Sequence, residues 1–231
     1  MPAAAPPASP NFTARRGGAR PELVVLHYTG MASAAEARAR LCDPLAEVSA
    51  HWLIDEAGRI EALVAEEMRA WHAGAGAWGG REDVNSRSIG IELANPGDRP
   101  FAAPQMLALE GLLRAILARW GLGPEAVIGH SDMAPGRKFD PGARFDWARL
   151  ARLGLAVMPA PQGPAPAADM ESFCALAQAF GYPEGPPEVV LAAFRLRFRP
   201  RHSGPLDACD MALVADLAAR FGADGGAWRS C

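Results

Sequence analysis

Two histidines placed directly after apolar runs are the residues of this chain best suited to chemistry. His27 follows the run Leu23–Leu26, and His130 closely follows the shorter run Ala126–Ile128. The first run is typical of a strand buried on two faces and the second of a short strand, so the rigid backbone at their ends would fix each imidazole beside open loops. Imidazoles placed in this way predict a metal site.

The loop that follows His130 supplies a carboxylate. It is rich in proline and glycine, which can turn the chain and bring Asp140 back towards His130. A hydrolytic zinc ion needs three protein ligands and one open position for water, and mixed histidine and carboxylate ligation suits that task. The predicted zinc ligands are therefore His27, His130 and Asp140.

A second carboxylate lies in the apolar run Ser88–Leu93. Alternation with a period of two places Ile89, Ile91 and Leu93 on one face of a strand and Glu92 on the other. The carboxylate of Glu92 is thus predicted to face away from the apolar side.

The remaining patterns predict the elements that would hold these residues. Strands are predicted over 23–28, 50–54, 59–64, 88–93 and 126–128, and helices over 33–42, 104–120 and 145–153. Together they indicate an α/β domain with a mixed central β-sheet flanked by helices.

Proline and glycine content marks the divisions of the chain. A flexible N-terminal arm is predicted over 1–20, the α/β domain over 21–155, a Pro-rich linker over 156–168 and a small all-α domain over 169–231. The last of these contains three amphipathic patterns, at 170–180, 188–198 and 206–221. We interpret them as a helical bundle.

The charge and composition of the chain limit the kinds of partner that we expect. The net charge of -3 and the lack of a basic stripe with interleaved aromatic residues argue against nucleic acid. No run is long enough to span a bilayer, and the first ten residues do not have the pattern of a secretory signal. We expect a cytoplasmic monomer, or a periplasmic protein if the sequence begins after a removed signal.

The cysteines do not predict a thiolate zinc site, because they are widely scattered and form no CxxC pair. They are Cys42, Cys174, Cys209 and Cys231. Idle thiols are the favoured interpretation, and a disulfide between Cys174 and Cys209 remains open.

Several separated motifs occur in one order over about 120 residues. They are His27-Tyr28-Thr29, Ser49–Ile54, Ala70–Gly74, Asn85 with Ser88–Glu92, and the loop 130–142. In this order they resemble the type 2 N-acetylmuramoyl-L-alanine amidases, the family of AmpD and AmiD, whose fold is shared by peptidoglycan-recognition proteins. The resemblance implies a Zn²⁺ enzyme that hydrolyses the amide between N-acetylmuramic acid and L-alanine in peptidoglycan or in an anhydro-muropeptide.

The same resemblance assigns roles to individual residues. His27, His130 and Asp140 match the zinc ligands, Glu92 matches the essential glutamate that moves a proton, and Lys138 matches the lysine that steadies the oxyanion. Weaker matches predict substrate-binding residues: His51, Trp71, His72, Trp78, Arg81 and Asn85. His51 is equally well interpreted as a packed strand residue, and Arg81 and Asn85 as residues that order the loop. His202 is interpreted as a surface residue.

Alternatives remain at this stage. A peptidoglycan-recognition protein of the same fold can bind muropeptides without cutting them, although the presence of all three ligands and Glu92 favours catalysis. A phage-type lysin would share the chemistry. The tail resembles the C-terminal module of AmiD-like amidases, related to peptidoglycan-binding domains, at 180–182 and 193–200. It is predicted either to bind the cell wall or to pack against the rest of the chain.

Overall fold

The structure, a computed structural model, describes residues 8–222. Over this range the strands are β1 (Phe12–Ala14), β2 (Leu23–Tyr28), β3 (Trp52–Ile54), β4 (Ile60–Ala62), β5 (Met68–Ala70), β6 (Ser88–Leu93) and β7 (Val127–Gly129). The α-helices are α1 (Ala34–Leu41), α2 (Val84–Arg87), α3 (Ala103–Trp120), α4 (His130–Met133), α5 (Trp147–Arg152), α6 (Met170–Phe180), α7 (Pro187–Phe198) and α8 (Ala208–Phe221).

The main sheet is mixed, as the apolar runs predict. Its five strands have the order β4-β3-β6-β2-β7, and β1 pairs with β5 in a small separate sheet. Strands β2 and β3 run parallel to β6, whereas β4 is antiparallel to β3. Leu23–Leu26 has no exposed surface, which is typical of a parallel strand covered on both faces.

Helix α3 is the longest helix in the described range, and it follows the predicted apolar spacing. Met106, Leu109, Leu113 and Ile116 are all buried. The helix ends at Gly121, whose φ of 68° lies in the left-handed region that favours glycine.

The contacts of the chain divide it into two compact units. Over the described residues the first comprises 8–74 and 83–122, and the second 75–82 and 123–222. This division does not follow the predicted boundary at 156–168, since both sides of that segment lie in the second unit. Val157 is buried, and its carbonyl accepts a hydrogen bond from Arg197 at 3.5 Å.

The prediction of a flexible arm over 1–20 is wrong for the described part of it, residues 8–20. Strand β1 pairs with β5, and Ser9, Asn11 and Arg15 are buried. Their polar side chains bind backbone carbonyls, for example Asn11 Nδ2 to Val48 O at 2.8 Å. Such bonds leave no apolar periodicity in the sequence, which is why the pattern failed to predict order. Residues 1–7 lie outside the described range.

The three predicted helices of the tail are present as α6, α7 and α8. Asp169 and Asp207 begin two of them, each accepting a hydrogen bond from a backbone N–H of the first turn. Cys174 and Cys209 are free thiols. None of the helices in the described range has the length and apolarity needed to cross a membrane.

Candidate metal centre

His27 and Glu92 share one face of the main sheet. His27 lies near the end of β2 and is 1% exposed. The two strands pair in parallel with His27 opposite Glu92, and residues in register on neighbouring strands project to the same face. Ile89 and Ile91 alternate with Glu92 and are fully buried on the other face. The separation of faces predicted for this strand is present.

A chain of hydrogen bonds leads away from His27. His27 Nε2 lies 3.0 Å from His72 Nδ1, and His72 Nε2 lies 3.1 Å from Ser88 Oγ. The Ser88 hydroxyl donates to the Val84 carbonyl at 2.6 Å, so its oxygen accepts from His72 Nε2–H. In its neutral tautomer with the proton on Nε2, His72 accepts from His27 Nε2–H through Nδ1. With Nε2 of His27 engaged in this bond, Nδ1 is the His27 atom that would bind a metal.

The absence of a side chain at Gly90 leaves room for the His72 ring. A Cβ at this position would lie 2.4 Å from the imidazole, so a side chain on Gly90 would displace His72 from the strand. The predicted substrate-binding role of His72 therefore has a competing explanation in the structure, namely support of His27.

His51 is fully buried behind this chain. Its Nδ1 accepts from the Gly90 N–H at 2.9 Å, so Nε2–H donates to the Met68 carbonyl at 3.0 Å. Burial lowers the pKa of His51 from 6.5 to about 3, the Met68 carbonyl raises it and the charge of Arg15 lowers it. The packed interpretation of His51 fits this environment better than contact with a substrate.

Asn85 and Trp71 flank His72 in different ways. Asn85 Oδ1 accepts from the backbone N–H groups of His72 and Ala73 at 3.0 and 2.8 Å. These bonds favour the ordering of the loop, one of the two roles considered for Asn85. Trp71 is partly exposed and lies beside Arg16 and Arg69 in a surface depression.

The second histidine opens helix α4. His130 and Asp140 are 3% and 7% exposed, and His130 Nδ1 lies 3.0 Å from Asp140 Oδ2. The Ser131 N–H donates to the Asp140 carbonyl at 2.9 Å, which holds the returning loop against α4. The Pro- and Gly-rich loop thus brings the carboxylate to the histidine as predicted.

The three predicted ligands form one group in the structure. Ligand atoms of His27, His130 and Asp140 all lie within 4.8 Å of one another, and all three residues are buried. Two imidazole nitrogens and one carboxylate oxygen at this separation suit a hydrolytic zinc ion that keeps a position for water. The donor set therefore fits the metal that the sequence predicts.

A second group of possible ligands is less suited to a metal. His202, Asp207 and Asp210 also lie within reach of one another, but Arg199 Nη1 already binds both carboxylates, at 2.6 and 2.7 Å. The hydrogen bond from Arg199 lowers the pKa of Asp207 to about 2. These contacts describe an ion-pair network rather than a metal site, and exposed His202 agrees with its predicted place at the surface.

Trp78 and Arg81, both predicted to bind substrate, have different surroundings from the residues above. Trp78 has no exposed surface, and its ring packs edge-on against Phe180 and Tyr182 at centroid distances of 5.5 and 5.2 Å. A fully buried indole cannot offer a flat surface to a sugar, so the structure corrects this prediction to a packing role. Arg81 is exposed, and its backbone bridges that of Trp78.

Lys138 is partly exposed in the loop after α4, and its backbone N–H donates to the Ala134 carbonyl at 3.1 Å. Neighbouring Arg137, which the sequence analysis did not assign, places Nη2 3.4 Å from His130 Nε2 and donates to the Ala75 carbonyl. Desolvation lowers the pKa of Arg137, while Asp140 raises it.

Ser88 and Asp132 were also missed by the sequence analysis. Ser88 binds His72, and Asp132 accepts from the Gly129 N–H at 2.8 Å, directly before His130. The spacing of Asp132 three residues after Gly129 is that of a carboxylate at a helix start, a signal that could have found it. Ser88 carries no comparable local signal.

Comparison with known families places these residues in context. The family described as N-acetylmuramoyl-L-alanine amidase matches residues 17–143, a range that contains His27, Glu92, His130, Lys138 and Asp140.

Known relatives extend the match beyond that range. The N-acetylmuramoyl-L-alanine amidase AmiD of Escherichia coli is 35% identical over 89% of this chain and 85% of its own length. The 1,6-anhydro-N-acetylmuramyl-L-alanine amidase AmpD of Haemophilus influenzae is 43% identical over 44% of this chain and 56% of its own. A solved structure of the E. coli AmiD protein aligns with a TM-score of 0.81 and 34% identity over 91% of this chain and 93% of that one. It was solved with the substrate anhydro-N-acetylmuramic acid-L-Ala-D-γ-Glu-L-Lys.

Proposed function

Because this chain belongs to the N-acetylmuramoyl-L-alanine amidase family, we propose that it performs the family's hydrolysis with a zinc ion held by His27, His130 and Asp140. The amide between N-acetylmuramic acid and L-alanine is the bond that it cleaves. The observation that supports the zinc assignment is the group of three buried ligand atoms within 4.8 Å of one another.

Zinc, when bound, would polarise the amide carbonyl and lower the pKa of a water molecule. The protein supports such an ion through the bond between His27 and His72, since a metal-binding imidazole that donates its other N–H is fixed in orientation and made more basic.

Glu92 is the proposed proton carrier. It shares a sheet face with His27 and lies opposite it in the strand register, which supports a role in accepting a proton from the attacking water. The same group would return that proton to the leaving amine of L-alanine. Lys138 is proposed to stabilise the oxyanion that forms when water adds to the carbonyl.

The proposed substrate is an anhydro-muropeptide. The E. coli relative was solved with an anhydro-N-acetylmuramic acid peptide, and the sequence likeness covers most of both chains. Polymeric peptidoglycan is the alternative substrate, and it contains the same amide bond.

A binding protein without activity is the competing function, because the fold occurs in peptidoglycan-recognition proteins. Such a protein can lack a ligand or the glutamate without losing its fold. In this chain His27, His130, Asp140 and Glu92 are all present, which favours catalysis.

Incubation of the purified protein with an anhydro-muropeptide and with cell-wall sacs tests the proposal. Mass spectrometry should show free stem peptide and free anhydro-N-acetylmuramic acid, and cleavage should stop with a chelator and return with zinc. Uncut muropeptide that nevertheless binds would support the binding function. Release of peptide from sacs alone would overturn the substrate proposal and leave the amidase reaction intact.

A further inference from the structure

The carboxylate of Asp132 holds the turn that presents His130. Asp132 has no exposed surface, and its Oδ2 accepts from the Gly129 N–H at 2.8 Å. Gly129 is the last residue of β7 and His130 the first of α4. The backbone angles at this junction decide where the His130 imidazole points, so a bond that fixes the junction also fixes the imidazole.

The partners of Asp132 come from the tail of the chain. Arg197, on α7, donates from Nη1 to Asp132 Oδ2 at 2.8 Å across 65 residues of sequence. The Tyr182 hydroxyl donates to Oδ1 at 2.8 Å. Arg197 also donates from Nη2 to the carbonyl of Val127, in β7, at 3.2 Å. The strand before His130 and the helix that His130 begins are therefore tied to the same guanidinium.

The surroundings keep this arrangement rigid. Arg197 is 2% exposed, and its guanidinium lies 4.2 Å from the centre of the Trp147 ring. Burial, followed by the charge of Asp132, raises the pKa of Tyr182 well above 10, so its hydroxyl remains a donor. All of these residues belong to the second compact unit.

Stability alone does not explain such a pair. A buried ion pair often contributes no more free energy of unfolding than apolar residues of the same volume, because both charges lose their hydration. What such an ion pair does provide is a defined geometry. A guanidinium that binds a carboxylate and a carbonyl at the same time allows few relative orientations of these groups. The geometry fixed here is that of the turn at His130.

We propose that Arg197 and Tyr182 are positioning residues for His130, acting through Asp132, and that helix α7 and the segment after α6 thereby serve the metal centre. The inference rests on the proposed function, in which His130 is a zinc ligand. It differs from both roles predicted for the tail, since neither wall binding nor general packing would make the affinity for zinc depend on Arg197.

Arg195 provides a matched control on the same helix. It is also buried, and it pairs with Asp210, which is fully buried. Its other bonds among the described residues go to the carbonyls of Gly204 and Pro205, at 2.6 and 2.8 Å. Loss of Arg195 therefore removes a comparable ion pair without touching the turn at His130.

The test measures the zinc dissociation constant of the full chain by competition with a chelator, with circular dichroism as the check on folding. Arg197→Met should weaken zinc binding by about 10-fold, the low end of the usual cost of losing an outer partner of a metal ligand, because Arg197 acts on His130 only through Asp132. Tyr182→Phe should weaken it less, and Arg197→Lys should recover part of the loss. Arg195→Met should lower the melting temperature and leave the zinc affinity unchanged.

The outcomes separate the two proposals. If the wild-type protein binds no zinc, the proposed function fails. If it binds zinc and the folded Arg197→Met and Tyr182→Phe variants bind it equally well, the positioning role is wrong. If Arg197→Met does not fold, Arg197→Lys and Tyr182→Phe decide, because both keep the buried volume nearly constant. An equal loss of zinc affinity in Arg195→Met would also overturn the inference.

Discussion

His27 is held by a regular sheet and neutral side chains, whereas His130 is held by a loop and a buried ion pair. The bonds that support His27 pass through His72 and Ser88 to a backbone carbonyl. Those that support His130 pass through Asp132 to Arg197. A strand already fixes the direction of its side chains, so uncharged bonds suffice. A short helix at the start of a loop needs stronger and more directional contacts.

The residues that support the two histidines also lie in different parts of the sequence. His72 and Ser88 lie within the range matched by the amidase family, residues 17–143, whereas Arg197 and Tyr182 lie beyond it. One ligand is thus supported from inside the matched range and the other from outside it. The positioning role proposed for Arg197 and Tyr182 would make the tail of this chain a support of its metal centre.

The largest effect is expected at Glu92, which lies on the sheet opposite His27. Glu92→Ala should lower kcat by about a hundred- to ten-thousand-fold, because proton transfer is lost. Zinc content and folding should persist, since Glu92 is not a proposed ligand and its removal leaves Ile89 and Ile91 in place. Steady-state kinetics with elemental analysis measures both.

Glu92→Gln provides the control for size, and Glu61→Ala, a partly buried glutamate on β4, the control for position. Cleavage by Glu92→Ala at the wild-type rate would show that the proposed mechanism is wrong.

A second prediction concerns His51 and the dependence of the protein's stability on pH. His51 has a pKa of about 3 in the folded protein against 6.5 as its ordinary value. Between these values only the unfolded chain binds the proton, so the stability is fully present above pH 6.5 and is lost as the pH falls towards 3. By pH 4.5 the loss should be about 3 kcal/mol.

Urea unfolding at pH 7 and pH 4.5 checks this prediction, with His51→Gln as the variant that removes the titrating group. The variant should be less stable at pH 7 but should lose less stability on acidification. Parallel losses in the two proteins would assign the pH dependence to other groups.

A smaller effect is expected for the chain behind His27. His72→Ala should weaken zinc binding by about 10- to 100-fold, because His27 loses the partner that fixes its proton. Ser88→Ala should have a smaller effect in the same direction, since His72 remains. Competition with a chelator measures both constants, and His202→Ala, at an exposed histidine, is the control. Unchanged affinity in His72→Ala would leave His27 held by the strand alone.

Local sequence patterns predicted strands β2 and β6, which carry His27 and Glu92, well. Apolar runs gave β2 and β6, and alternation gave the face of Glu92, because a buried parallel strand records its environment in consecutive residues. The ligands followed from histidines at strand ends and from the returning loop. The zinc role of these residues, and the catalytic roles of Glu92 and Lys138, remain predictions.

Long-range polar contacts were not predictable in the same way. Arg15 binds the carbonyls of Glu66, Ser86 and Ser88, and no periodic pattern in the sequence marks an arginine that satisfies distant backbone groups. Trp78 was predicted as a substrate contact for a similar reason, since its partners Phe180 and Tyr182 are about a hundred residues away. Local sequence does not distinguish an exposed aromatic ring from one buried by a distant helix.

The zinc stoichiometry of three proteins tests the account most directly. The wild-type chain, purified without chelator, should contain about one zinc ion. His27→Ala and His130→Ala should each lose it while remaining folded by circular dichroism, because two remaining ligands bind zinc weakly whichever side of the site is removed. Retention of zinc at the wild-type affinity by either variant would contradict the claim that the two histidines, held in such different ways, serve one metal ion.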